Sequence, residues 1–192
     1  MNCNPLNSLK TARALLIILV ATLAAPADAG EWTVTGSAGK SITNWHGQAA
    51  TQVFTVSYRG WNWKGFDLAA GVAPYIIRQP KSWFSDDYGD GNETIVGPAL
   101  RMTASKSWRR ASVLQPYAEL TGGPLWTPKQ VPDSTSQMNW VTDIGSGVTI
   151  ASPQSRTALI VGYRFSHISN SGLSSRNPGW NVSSVIFGMR IR

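Results

Sequence analysis

Residues 156–166 read RTALIVGYRFS, and the alternation along this stretch decides the fold. Leu159, Val161, Tyr163 and Phe165 share one face of an extended strand and Arg164 lies on the other, because successive side chains of a strand point to opposite faces. Residues 180–191, WNVSSVIFGMRI, repeat the pattern. There Val185, Phe187, Met189 and Ile191 oppose Ser184, Gly188 and Arg190. Helical periodicity is hard to find anywhere in the chain, whereas period-two segments between turn-rich stretches recur.

Working outward from this pair, eight strands are expected: Glu31–Ser41, Thr51–Arg59, Gly65–Ile77, Glu93–Ala104, Ser112–Gly123, Asn139–Ala151, Arg156–Ser166 and Trp180–Ile191. Most are near the ~9–11 residues that a tilted strand needs to cross a bilayer. Eight suffice to close a small barrel filled by its own side chains. The connections alternate in length. Trp61–Lys64, Ser105–Ala111 and Ser152–Ser155 are short, while Ile42–Ala50, Arg78–Asn92, Leu125–Met138 and His167–Gly179 are longer and rich in turn residues. Short turns at one end and long loops at the other are the habit of outer-membrane barrels, and a β-sandwich has no need of that alternation. The expected fold is therefore all-β, an eight-stranded antiparallel outer-membrane β-barrel.

Carrying the alternation across the strands turns Asp67, Arg101, Glu119, Asp143, Arg164 and Arg190 inward. Three acids and three bases sharing one small lumen would form a balanced polar network, so their role reads as structural. Nine tryptophans with only 14% charged residues suit aromatic belts at a membrane interface better than a soluble secreted protein.

Residues 1–29 read as an export signal: Lys10 and Arg13, the apolar run Ala14–Ala25, then Ala27-Asp28-Ala29 as an A-x-A cleavage site. The barrel domain would then span 30–192, with 15 basic against 9 acidic residues, a balance of +6. The single cysteine, Cys3, precedes the apolar run, so no lipid anchor, disulfide or thiolate metal site is expected in the mature chain. Arg59, Lys64, Lys106, Arg109, Arg110 and Arg156 fall at or beside the expected periplasmic turns. The outer loops set Arg78, Lys81, Lys129 and Arg176 against Asp86, Asp87, Asp90 and Asp133. The basic surplus thus sits mostly at the inner leaflet and is poor evidence for substrate binding. Nucleic acid is no partner for an exported barrel.

The chemistry lies in residues 165–181, FSHISNSGLSSRNPGWN. His167 and Ser169 are two apart, so on a strand they share a face, as a base and its nucleophile must. Both continue the odd-numbered, lipid-facing register of strand seven, and Asn181 lies on the corresponding register of strand eight, provided that register survives the start of the loop. The functional reading is acyl-ester hydrolysis, with Ser169 attacking, His167 moving the proton, and Asn170 or Asn177 with backbone N–H groups near Gly172 stabilising the oxyanion. The bland reading is an interfacial loop whose His and Ser cap turns, since H-x-S by itself carries little information.

The sequence H-x-S-N-x-G-L, followed by N-x-G and then a polar residue two places on, closely resembles the signature of PagL-type lipid A 3-O-deacylases, of the acyloxyacyl hydrolase family. A looser likeness, including Pro116-Tyr117-Ala118-Glu119 and Gly122-Gly123, extends over most of the mature chain. The resemblance implies an eight-stranded outer-membrane barrel with a Ser-His-Glu triad on its lipid-facing surface, removing a 3-O-linked hydroxyacyl chain from lipid A of lipopolysaccharide. By motif, His167 matches the family histidine, Ser169 the nucleophile and Asn177 the asparagine associated with the oxyanion hole. At the third triad position the family's best-known enzymes have glutamate and this chain has Asn181. An amide can orient the imidazole through its carbonyl but cannot offset imidazolium charge, so weakened activity is expected.

His46 in the first long loop and the acidic run Asp86–Glu93 read as ordinary loop residues, because Tyr88 breaks the calcium-loop spacing. Zinc-type ligand sets, G-x-S-x-G and phosphate-binding glycine loops are absent, so no metal or cofactor is expected. The expected partners are the lipid A substrate and membrane lipids, with a monomer expected and a homodimer as the other option. Two further readings stay open: a non-catalytic small outer-membrane barrel that binds partners or stabilises the membrane, and an esterase of the same geometry acting on phospholipid.

Overall fold

Alternation becomes pairing in the computed structural model, which describes residues 30–42, 49–80, 92–108, 112–132, 135–152 and 154–192. Eight strands are formed: β1 (Glu31–Ser41), β2 (Ala50–Trp63), β3 (Phe66–Pro80), β4 (Asn92–Ser107), β5 (Leu114–Trp126), β6 (Met138–Ile150), β7 (Thr157–Ser169) and β8 (Trp180–Ile191). Each pairs antiparallel with the next, and β1 pairs with β8, so the sheet closes into a barrel with no free edge. The strand ends joined by the long connections, 42–49, 81–91, 127–137 and 170–179, share one end of the barrel, here called outer. The strand ends joined by the short ones, 64–65, 108–113 and 151–156, share the other. The export signal, His46, Lys81, the part of the acidic run from Asp86 to Gly91, Arg109, Arg110 and Asp133 lie outside the described residues.

Strands β1 and β8 have the expected bounds, and several others run longer. The second strand continues past Arg59 through a bulge to Trp63, and the connection shrinks from the expected Trp61–Lys64 to Lys64-Gly65. Both residues have positive φ, 49° and 84°, the two-residue hairpin turn whose twist matches the flanking strands. The third strand runs on to Pro80, which moves Arg78 from the outer loop onto a strand. Most important, β7 runs on to Ser169, so His167 and Ser169 belong to a strand rather than to a loop.

The exterior is an apolar band that includes Phe54, Ile76, Val96, Met102, Leu120, Ile144, Leu159, Val161, Val185 and Phe187, all exposed. Trp126 and Trp140 stand at its outer rim, and Trp61, Trp63 and Phe66 at its inner rim, as expected of interfacial belts.

The interior is not uniformly polar. Its outer half is a packed apolar core that includes Tyr75, Ile77, Leu125, Val141, Ile168, Trp180 and Val182. Its inner half carries the charges. Arg101 binds Asp143, and Arg164 reaches Glu119 at 2.7 Å and Asp143 at 3.6 Å. Nearer the inner end Arg59 binds Glu31 and, at 2.6 Å, Asp67, while Arg190 and Arg192 approach Glu31 at 3.5 and 2.6 Å. All six residues expected inside are there. Glu31 and Arg59 join them, so Arg59 is a lumen residue rather than part of a periplasmic basic surplus, because it falls on the inward register of β2. The cavity left among Arg101, Glu119, Arg164 and Arg190 is about 60 Å³, room for water but no conduit for solutes.

Candidate active site

Pairing of β7 with β8 sets His167 directly opposite Asn181, and on its other side β7 sets His167 opposite Thr142 and Ser169 opposite Trp140. His167 is exposed on the outer face, with Ser169 two residues on and half-buried beside it. The intervening Ile168 is fully buried, as are Trp180 and Val182 on either side of Asn181. The strand pair that carries the polar residues is therefore anchored from behind by the densest part of the core, which holds their backbones rigidly.

His167 Nδ1 lies 2.8 Å from Asn181 Oδ1. A carbonyl oxygen only accepts, so this hydrogen bond places the proton on Nδ1 and leaves the Nε2 lone pair free to take another. That is the tautomer a general base for a neighbouring hydroxyl requires. Every acidic residue among those described, namely Glu31, Asp67, Glu93, Glu119 and Asp143, is engaged in the lumen or its mouth. Among the described residues, Asn181 is the hydrogen-bond partner of the imidazole.

The β7–β8 loop frames the pair. Asn170, next after Ser169, alternates inward and is buried. Its Nδ2 donates to the Arg176 carbonyl at 2.7 Å, its Oδ1 accepts from Gly172 N–H at 3.0 Å, and its own N–H donates to Asn177 Oδ1 at 3.0 Å. Asn170 and Gly172 are thus committed to bracing the loop. Asn177 is exposed, anchored by its carbonyl, and carries its donor group at the other end of the amide. Ser171 and Gly172 take positive φ, 52° and 84°, to turn the chain back over the strand end.

Gly179 closes the N-x-G element of the motif, which by itself assigns it no role. It has φ +62°, and a Cβ there would lie 2.8 Å from Cε1 of His167. A side chain there would be strained at this φ and would press the imidazole out of its place against Asn181. The signal for it, a glycine two residues before Asn181, is visible in the sequence, but its contact with His167 depends on the loop's path.

The structure brings together His167, Ser169 and Asn181 on one outward patch at the outer aromatic rim, with the Asn177 loop above them. Such a patch can hold an ester at the membrane surface, with a base and hydroxyl on the same strand face. Among the described residues no cluster of His, Cys, Asp or Glu could hold a metal ion.

A family model described as "Lipid A 3-O-deacylase (PagL)" matches residues 26–190. A search of the curated proteins found no match. Among solved structures, the crystal structure of the outer membrane enzyme PagL is 17% identical, with a TM-score of 0.53, and the match covers 83% of this chain and 99% of that one. The crystal structure of Neisserial surface protein A (NspA) is 14% identical, with a TM-score of 0.59, covering 84% and 96%. At these identities the structural likeness speaks for the outer-membrane barrel fold, and the family match, which takes in all eight strands but the final residue, speaks for kinship. The chain belongs to the PagL lipid A 3-O-deacylase family.

Proposed function

We propose that this protein is an outer-membrane serine esterase that removes a 3-O-linked acyl chain from lipid A. Ser169 is the nucleophile, His167 the general base and acid, Asn181 the group that orients His167, and Asn177 an oxyanion donor. The observation that carries the reading is the 2.8 Å contact from His167 Nδ1 to Asn181 Oδ1, on the same outward strand face as Ser169.

Ser169 Oγ attacks the ester carbonyl carbon while His167 Nε2 takes its proton. The carbonyl oxygen becomes an oxyanion that accepts from Asn177 Nδ2. Collapse breaks the bond to the sugar oxygen, which leaves with the proton from His167, and the acyl chain stays on Ser169. Water then attacks the acyl-enzyme, its proton passing through His167, and the hydroxy fatty acid departs. Asn170 and Gly172 support this indirectly by holding the loop, since their own polar groups are already engaged.

In the serine-protease template, losing the orienting carboxylate lowers turnover by ~10⁴, mainly because the histidine takes the wrong tautomer. Asn181 avoids that part of the loss by accepting from Nδ1. It supplies no negative charge to the imidazolium, so a slow enzyme is expected rather than a silent one.

The test is mass spectrometry of lipid A from Gram-negative cells expressing this chain or Ser169→Ala, with outer-membrane insertion verified for both. Loss of one hydroxyacyl chain only where Ser169 is present is the expected outcome. Unchanged lipid A with both inserted proteins would overturn the reading in favour of a non-catalytic barrel or another ester substrate.

A further inference from the structure

The outward face of β1 carries Val34, Gly36, Ala38 and Lys40 in ascending order toward the outer rim, and its lower part has no counterpart elsewhere on the adjoining strands: two small residues in succession. Opposite Gly36 stand Phe187 on β8 and Phe54 on β2, and opposite Ala38 stand Val185 and Gln52. Beyond them Gln52 pairs in turn with Ile76 on β3. Small residues between large ones leave an external groove of about 780 Å³, lined by Val34, Gly36, Ala38, Phe54, Ile76 and Phe187 among others, and almost wholly apolar.

The groove is capped by charge. Lys40 pairs with Ala50 on one side and with Ser183 on the other, and Ala50 pairs in turn with Arg78. Lys40 and Arg78 therefore stand in one row, two strands apart, both exposed and both on the outward register, with only the small Ala50 between them. At ~4.8 Å per strand their Cα atoms are about 10 Å apart, within joint reach of one anionic group by two long side chains. Among the described residues neither enters an ion pair, and the five described acids are engaged in the lumen or its mouth. Two like charges held on one lipid-facing row without an acid between them repel unless an anion joins them.

The same row reaches the site. Ser183, opposite Lys40, is opposite Phe165 on β7 and lies two residues below Asn181. Lys40 is thus one strand away from Asn181 and two from His167, about 12 Å between the Cα atoms of Lys40 and His167 at ~4.8 Å per strand and ~3.3 Å per residue, a distance on the scale of a disaccharide.

Building on the proposed esterase activity, we infer that Lys40 and Arg78 form a subsite for a phosphate of the glycolipid substrate, with one of its acyl chains lying in the Gly36–Ala38 groove below. Charge above and a hydrocarbon slot beneath is the arrangement an anionic lipid requires: the cations neutralise the headgroup at the interface, and the slot takes a chain at bilayer depth. The basic surplus as a whole does not mark substrate binding; these two residues do. They are positioning residues, acting through where they hold the ester relative to Ser169.

The experiment compares refolded protein in detergent micelles with bis-phosphorylated lipid A and with lipid A whose phosphates have been removed. The variants are Lys40→Gln/Arg78→Gln, Lys40→Arg and wild type, each first shown folded by heat-modifiable migration. Binding is read by native mass spectrometry on the Ser169→Ala background, and turnover on the Ser169 protein. The expected result is a preference of about tenfold or more for the phosphorylated lipid, lost in the double glutamine variant, kept in Lys40→Arg, and appearing in KM rather than kcat. Equal retention of both lipids by wild type, or a preference that survives the double variant, would overturn the subsite. A binding preference that behaves as expected in a protein without turnover would sink the esterase reading and support this one.

Discussion

In the proposed mechanism, catalytic power turns on Asn181. Its carbonyl holds His167 in the tautomer with Nδ1 protonated, but an amide cannot stabilise the imidazolium that the proposed attack by Ser169 would form. A carboxylate at the same distance would do both. Asn181→Glu is therefore expected to raise kcat by about tenfold, the equivalent of ~1.4 kcal/mol of added charge stabilisation in the transition state. Deacylation rates of the two refolded proteins on the same lipid A check this. An unchanged or lower rate would mean that Asn181 is not a weakened orienter.

At the scale of elements, the decisive feature is that β7 does not stop at Ser166 but runs to Ser169, and that the loop after it is tied to its end. Asn177 has two possible duties there, since its carbonyl accepts from Asn170 N–H while its amino group is the proposed oxyanion donor. Two substitutions separate them. Asn177→Ala removes both, and Asn177→Asp keeps an acceptor for the loop but removes the donor. Both are expected to lower kcat by ~10²-fold or more, the usual cost of deleting one oxyanion donor. A near-native rate for Asn177→Asp would assign the side chain to bracing alone.

At the scale of the whole molecule, the barrel divides its lumen into an apolar outer half behind the candidate site and an ionic inner half. The Arg101–Asp143 pair is almost wholly shielded from solvent, with side-chain exposures of 1% and 0%. Removing one partner of such a pair leaves a buried charge uncompensated, at a cost of ~3–5 kcal/mol. Asp143→Ala is expected to lower the urea midpoint of unfolding in lipid vesicles correspondingly. Because His167 and Ser169 face outward from the far side of the wall, the folded variant should keep its deacylation rate at temperatures well below unfolding. An unchanged midpoint would mean that Glu119, 2.7 Å from Arg164, takes over the neutralisation of the two arginines.

The sequence by itself determined the strand count, the inward and outward faces, and the odd-register placement of His167, Ser169 and Asn181, because a period of two is a local property that side-chain order alone encodes. It also determined the six charged lumen residues, since a charge opposite an apolar run can only face inward in a lipid-exposed wall. Only the tertiary structure decided which residues meet across strands. Register pairs His167 with Asn181, lines up Lys40 with Arg78 across Ala50, and draws Glu31 and Arg59 into the lumen network. These contacts join residues far apart in the chain, and sliding one strand by two positions would keep every face while changing every partner. The fate of Asn170 and Gly172, drawn into bracing, was likewise settled by the path of the returning loop, as was the advantage of glycine at 179, where a Cβ would lie 2.8 Å from Cε1 of His167.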